Sequence, residues 1–200
     1  MAAQDEPPQG LGPPHEATAP PSRWILRFAH LVPPGGPVLD LAAGGGRHSR
    51  FFLERGHPVL AVDRDAAALR AIGLARLTWL EADLESGPWP LENRRFAGVV
   101  VTNYLHRPLL PRLVAAVEEG GALLYETFAQ GNEALGRPRN PDFLLQPGEL
   151  IQAVRHDLAI VAYEHGRIEQ PRPAVIQRIA AVRGEAPRLI CAIDPARGDA

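Results

Sequence analysis

Lysine is missing from this sequence: all 21 of its basic residues are arginine. A Schiff-base enzyme and a P-loop with its phosphate-binding lysine are therefore excluded, because both chemistries need the amine. The same bias, with abundant alanine, glycine and proline, is what a GC-rich genome produces. Cysteine is nearly absent too. Cys191 stands alone, so neither an intramolecular disulfide nor a cysteine-cluster metal site can form, and no metal is expected. No apolar run approaches the ~20 residues of a membrane helix, so no membrane partner is expected. The first residues lack the basic start and apolar core of a secretory signal, and a reducing cytoplasm is the expected location. Net charge is only −2, with both signs interspersed. Such a chain offers no strong field for nucleic acid or an anionic surface.

What is present suffices for one domain with a sizeable core: 200 residues, 46% of them apolar. Residues 1–21 carry six prolines and no apolar pattern, and read as a disordered tail. Ser22 is a plausible N-cap for "RWILRFAHLV", where Trp24, Ile25, Phe28 and Leu31 share a helical face. From Pro37 the pattern alternates. "PVLDLA", "PVLAVDRD", "LTWLEAD", "FAGVVVTNYL" and "GALLYETFA" read as strands buried on both faces; "GRHSRFFLERG", "AAALRAIGLA" and "LLPRLVAAVEE" read as helices between them. Residues 130–147 have no periodicity and read as a lid-like segment, because long loops in compact domains tend to cover sites. A short helix is expected over Glu149–Arg155. "LAIVAYEHG" and "AVIQRIAAVRG" are joined too tightly for a crossover helix and predict an antiparallel pair. The expected fold is α/β: a Rossmann-like, doubly wound, mostly parallel seven-stranded sheet with helices on both faces and the last strand antiparallel. It occupies residues 22–184, with residues 185–200 as a C-terminal tail.

Ligands of such sheets bind at the carboxyl ends of the strands. There the first strand ends in "DLAAGGGRHS", an acid followed by three glycines (Gly44, Gly45 and Gly46) that let backbone N–H groups approach a polar ligand. The dinucleotide pattern G-x-G-x-x-G fails, since Ser49 stands where its third glycine belongs. Acids also close the second and third strands, at Asp63 and Asp83. Three strand-end acids around a glycine turn describe a nucleoside site without a pyrophosphate contact.

On these residues the chain resembles the class I S-adenosylmethionine-dependent methyltransferases, over about residues 22–184. Their acid-x-Gly-x-Gly-x-Gly motif matches Asp40, Ala42, Gly44 and Gly46, with alanine in place of the first glycine. The resemblance implies S-adenosyl-L-methionine as cofactor. It also implies that the Gly44–Gly46 backbone meets the methionine part and that Asp63, with Arg64 beside it, takes the ribose. Asp83 would take the adenine amine while Leu84 packs on the ring. Thr102, Asn103 and Tyr104 would lie by the methyl group. Arg23 and Trp24 are candidates for the methionine carboxylate. "RWILRFAHL" and the long segment ending in "PGEL" resemble the tellurite-resistance-type group.

Methyl transfer needs alignment, desolvation and, for protonated acceptors, a route for the proton. His106, in "NYLHRP", is the first candidate to take it, with Tyr104 next and Glu126 weaker. Arg107 is a candidate to hold an anionic substrate. A small-molecule acceptor (O, S, N or metalloid) is expected. The alternatives are an RNA or nucleobase methyltransferase, against which "NYLH" lacks the Pro-Pro-aromatic run of amine-methylating relatives, and a non-catalytic cofactor-binding module.

Overall fold

A computed structural model describes residues 19–185; the expected tails lie outside this range except for residues 19–21 and Glu185. Seven strands form one sheet: β1 (Val38–Leu41), β2 (Val59–Asp63), β3 (Leu77–Glu81), β4 (Phe96–Thr102), β5 (Val117–Phe128), β6 (Ala159–Ile168) and β7 (Ala174–Val182). Their spatial order is β3-β2-β1-β4-β5-β7-β6. The first five pair in parallel; β7 runs antiparallel to both β5 and β6. The order reverses between β1 and β4, and this switch point opens a crevice at the strands' carboxyl ends.

Helices cover both faces. Helices α1 (Arg23–Phe28) and α2 (Arg47–Glu54) bury Trp24, Ile25, Phe28, Phe51 and Phe52 against Val38, Val100 and Leu124 on one face. Helices α4 (Leu110–Ala115) and α5 (Glu149–Val154) bury Leu113, Val114, Leu150 and Val154 against Leu39, Val99 and Leu123 on the other. No helix among the described residues is long and apolar enough to cross a membrane.

Several boundaries differ from expectation. The run "LLPRLVAAVEE" is helical only to Ala115, and β5 already begins at Val117. Val117 is fully buried opposite Phe96, so burial overrides helical propensity there. Helix α3 is a single turn, Ala67–Arg70. Strand β3 is not buried on both faces, because it lies at the sheet edge with Trp79 exposed. Arg70 covers that indole at 4.6 Å and pairs with Glu81 at 2.6 Å.

Residues 129–148 hold two 3-10 turns, Asn132–Ala134 and Pro141–Phe143, and a bridge from Ala129 to Leu145. Leu144 and Leu145 are buried. The Asn132 amide donates to Pro138 O (3.1 Å) and its oxygen accepts from Val175 N–H (3.3 Å). The segment is thus sewn to β7 by its own polar groups.

Gly46 shows why one glycine of the run is required by the fold. Its φ is +74°, and a Cβ built on it would lie 2.5 Å from Ile72 Cδ1 and 3.1 Å from Leu69 Cδ2. The bare Cα lets α3 and its C-terminal turn pack onto the start of α2. Gly46→Ala is expected to cost about 1–3 kcal/mol of stability, from the left-handed backbone and the crowding together. Urea denaturation measures it; an unchanged midpoint would mean that neither constraint holds.

Candidate active site

A cavity of about 600 Å³ opens at the carboxyl ends of β1, β2, β3 and β4. Four turns build it. After β1 the backbone swings through left-handed conformations at Ala42 (φ 53°) and Gly44 (φ 54°) before α2 begins. Glycine would accept the Ala42 conformation without cost; alanine holds it at roughly 1 kcal/mol of strain. Gly44 N–H donates to Asp63 Oδ2 (2.8 Å), and Asp65 N–H donates to Asp63 Oδ1 (3.0 Å). Each carboxylate oxygen has further lone-pair capacity, and Asp63 lines the cavity. After β3, Asp83 accepts from the N–H groups of Glu85 (2.9 Å) and Ser86 (3.3 Å) and from the Ser86 hydroxyl. These bonds, led by the hydroxyl, hold its carboxyl below the usual carboxylate range. After β4, Asn103 also sits at positive φ (55°), which asparagine tolerates, and turns Tyr104 into the cavity.

The cavity brings together Ala42, Gly44, Asp63, Arg64, Asp83, Leu84, Asn103 and Tyr104 among the residues predicted from sequence. Five others lie elsewhere. Arg23 is exposed on α1. Trp24 is buried in the core, and its indole N–H donates to Ile179 O (3.1 Å). Gly46 faces α3, as described. Asp40 lies beneath the turn, 2% exposed, accepting from Ser49 Oγ (2.6 Å). His106 is half-buried, off the cavity wall, and its ring has no hydrogen-bond partner among the described residues.

Two other candidates are engaged by the fold. Glu126 accepts from Ser22 Oγ (2.8 Å) and Arg178 Nη1 (3.1 Å), so its carboxylate is already paired. Arg107 donates to both oxygens of Glu149 (2.7 and 3.0 Å) and to the carbonyls of Asp142 and Leu144. It is a clamp and not a free cation. Residues 130–147 contribute nothing to the cavity wall.

Sequence reasoning overlooked Arg47, which lines the glycine end of the cavity and donates to Pro20 O (3.3 Å). Its signal was its position, a cation opening the helix after a glycine turn, where the dipole disfavours it. Burial lowers its proton affinity, while Glu126 and Asp40 counteract. Four carboxylates, Asp63, Asp65, Asp83 and Glu85, also line the cavity. The Tyr104 hydroxyl is buried without a hydrogen-bond partner among the described residues. Burial, then Glu85, Asp83 and Asp63, push its acidity far from neutrality. It therefore stays protonated, a donor and not a base. Among the described residues no cluster of His, Cys, Asp or Glu is arranged to hold a metal ion.

This donor set fits a nucleoside joined to an amino acid. Carboxylates suit hydroxyls and an exocyclic amine, Leu84 offers an apolar face, and Arg47 offers a cation for a carboxylate. Comparison agrees. Residues 38–124 match the family model described as a methyltransferase domain. TehB from Haemophilus influenzae superposes with a TM-score of 0.64 at 18% identity, over 80% of this chain and 61% of that one. The chain therefore spans under two thirds of that relative. A TehB-like methyltransferase from Corynebacterium glutamicum gives 0.56 at 16% identity, covering 80% and 87%. The 1,6-didemethyltoxoflavin-N1-methyltransferase of Burkholderia thailandensis, with its substrate and S-adenosylhomocysteine bound, gives 0.59 at 21%, covering 81% and 76%. At these identities the likeness is one of fold. No curated protein sequence matches the chain.

Two buried groups beneath the cavity oppose each other in pH response. Burial raises the Asp40 carboxyl to about 7. Burial, then Arg47, pushes the His48 imidazole down to about 3. Asp40 stabilises the fold fully below about pH 4 and loses that contribution as pH rises through 7; His48 stabilises above about pH 6.5 and loses it toward pH 3. Between pH 4 and 6.5 the two slopes nearly cancel. Asp40→Asn keeps the Ser49 bond and removes one slope. The variant's stability relative to wild type should rise by roughly 4 kcal/mol at most between pH 4 and 7, then level off. Urea titrations at stepped pH check this; a constant difference would place Asp40 as an ordinary carboxylate.

Proposed function

We propose that this chain is a class I S-adenosylmethionine-dependent methyltransferase, a reading that the methyltransferase-domain match over residues 38–124 supports, and that it methylates a small-molecule acceptor. The observation that carries the reading is that Asp63 and Asp83 line one cavity with the Gly44 turn and Arg47. S-adenosylmethionine, when bound, supplies an activated methyl group on a sulfonium. The chain supplies binding and orientation. In this proposal Asp63 accepts from the ribose hydroxyls with the lone pairs left over from Gly44 and Asp65. Asp83 meets the adenine amine, and Leu84 packs against the ring. Arg47 pairs with the methionine carboxylate, the role first sought at Arg23 and Trp24. Asn103 and Tyr104 face the acceptor, and the Tyr104 hydroxyl donates a hydrogen bond that fixes its orientation. Alignment then contributes most of the barrier reduction, without an indispensable base.

The acceptor class follows from charge. Asp63, Asp65, Asp83 and Glu85 line the cavity with Arg47 and Arg64, so its wall carries an excess of acid. A polyphosphate backbone meets repulsion there, and the chain as a whole is slightly acidic. The relative from Burkholderia thailandensis, whose structure holds a small substrate beside S-adenosylhomocysteine, supports the same class.

Asp63→Ala should keep the fold and weaken S-adenosylmethionine binding by about 1–3 kcal/mol, the cost of leaving buried hydroxyls unpaired. Calorimetric titration checks it, and undiminished affinity in a folded variant would remove Asp63 from the site. S-adenosylhomocysteine release, followed over small-molecule panels and over bulk RNA and DNA, decides the acceptor. Turnover is expected with small molecules; turnover with nucleic acid alone would overturn the class and leave the cofactor reading standing.

A further inference from the structure

One wall of the cavity is not made by the sheet and its turns. Residues 19–22 run along the glycine end, and Ala19 lines the cavity itself. This strap is tied down at three points. Arg47 donates to Pro20 O (3.3 Å), Ser22 N–H donates to His48 Nε2 (3.1 Å), and Ser22 Oγ donates to Glu126 Oε1 (2.8 Å).

Ser22 does more than cap α1. Capping needs only the bond that its Oγ accepts from Trp24 N–H (3.1 Å). The bond to Glu126 reaches 104 residues along the chain, and Glu126 is itself held by Arg178, which bonds Glu164. His48 likewise has a specific task. It is 1% exposed, and its Nε2 is turned to the strap while Nδ1 faces Thr102 Oγ1 at 3.5 Å. A ring that accepts at Nε2 carries its proton at Nδ1. Its depressed proton affinity keeps the Nε2 lone pair available.

We propose that Ser22 and His48 are positioning residues that latch the strap of residues 19–22 onto the first turn of α2, so that strap and glycine turn enclose the cofactor as one unit. The proposal rests on the cofactor reading above. His48 and Arg47 are neighbours on α2, so the element that presents the glycine turn also holds its cover. Release of S-adenosylhomocysteine then requires the latch to open.

Ser22 has φ −55°, which proline adopts without strain, so Ser22→Pro deletes the N–H that donates to His48, together with the hydroxyl that bonds Glu126 and caps α1. Ser22→Ala deletes only the hydroxyl. His48→Gln retains an acceptor near Nε2; His48→Phe fills the space without one. S-adenosylhomocysteine affinity by calorimetry and its dissociation rate by stopped flow provide the readouts. His48→Phe should lose about tenfold in affinity through faster dissociation, as expected for one lost buried hydrogen bond, and Ser22→Pro, which loses the hydroxyl as well as the N–H, at least as much. Ser22→Ala should lose less, and His48→Gln should stay close to wild type. If His48→Phe fails to fold, Ser22→Pro, outside the core, still carries the test. Folded Ser22→Pro that binds and releases S-adenosylhomocysteine as wild type does would overturn the latch alone. Wild-type protein that fails to bind it would overturn the cofactor reading and the latch with it.

Discussion

The hydrogen bond from Gly44 N–H to the Asp63 carboxylate is the constraint on which the site depends. It ties the turn after β1 to the end of β2, so the floor of the cavity and one of its walls share a single fixed geometry. Such a bond requires the chain to turn sharply within a few residues of the strand end. It does so through Ala42, Gly44 and Gly46, all at positive φ. A carboxylate that accepts backbone N–H groups is held in place without losing all of its capacity to bind a ligand. Asp63 is thereby both a fastening of the fold and a group presented to the cavity.

The electrostatics beneath this turn follow from burial more than from pairing. Asp40, Arg47 and His48 crowd into a few residues, and each is perturbed first by loss of water. Burial drives Asp40 and His48 toward their neutral forms, so the layer under the cavity carries little charge of its own. The charge that remains is at the surface of the cavity, where Arg47, Arg64 and four carboxylates line it.

On the far side of β4 the chain is fixed firmly. Tyr125 Oη donates to Tyr104 O (2.8 Å), and Arg107 fastens the carbonyls of Asp142 and Leu144 together with the Glu149 carboxylate. The loop carrying Asn103 and Tyr104 is thus braced from both sides. Residues 130–147 are held by those bonds and by the buried Leu144 and Leu145. Of the four residues before α1, Ala19 lines the cavity.

The order of strands and helices was legible in the sequence because continuous apolar runs and glycine punctuation are local properties, each set by the two faces of one strand. The strand-end acids Asp63 and Asp83 were legible for the same reason: each breaks an apolar run where the strand gives way to a turn at the carboxyl end of the sheet. The assignments that depended on which way a side chain points were not. Trp24 looked as available as Tyr104, yet its indole is spent on Ile179, a partner 155 residues away. His106 is adjacent in sequence to the cavity and absent from its wall, because the turn at Asn103 and the brace at Tyr104 direct the chain outward. Arg107 and Glu126 read as free charges and are paired with Glu149 and Arg178, and Gly46 read as a ligand contact and serves the packing of α3. Sequence alone determined where the turns and acids fall along the chain. Only the tertiary structure decided which of them face the cavity, because a long-range hydrogen bond or ion pair commits a side chain to one side and leaves no record in the residues near it.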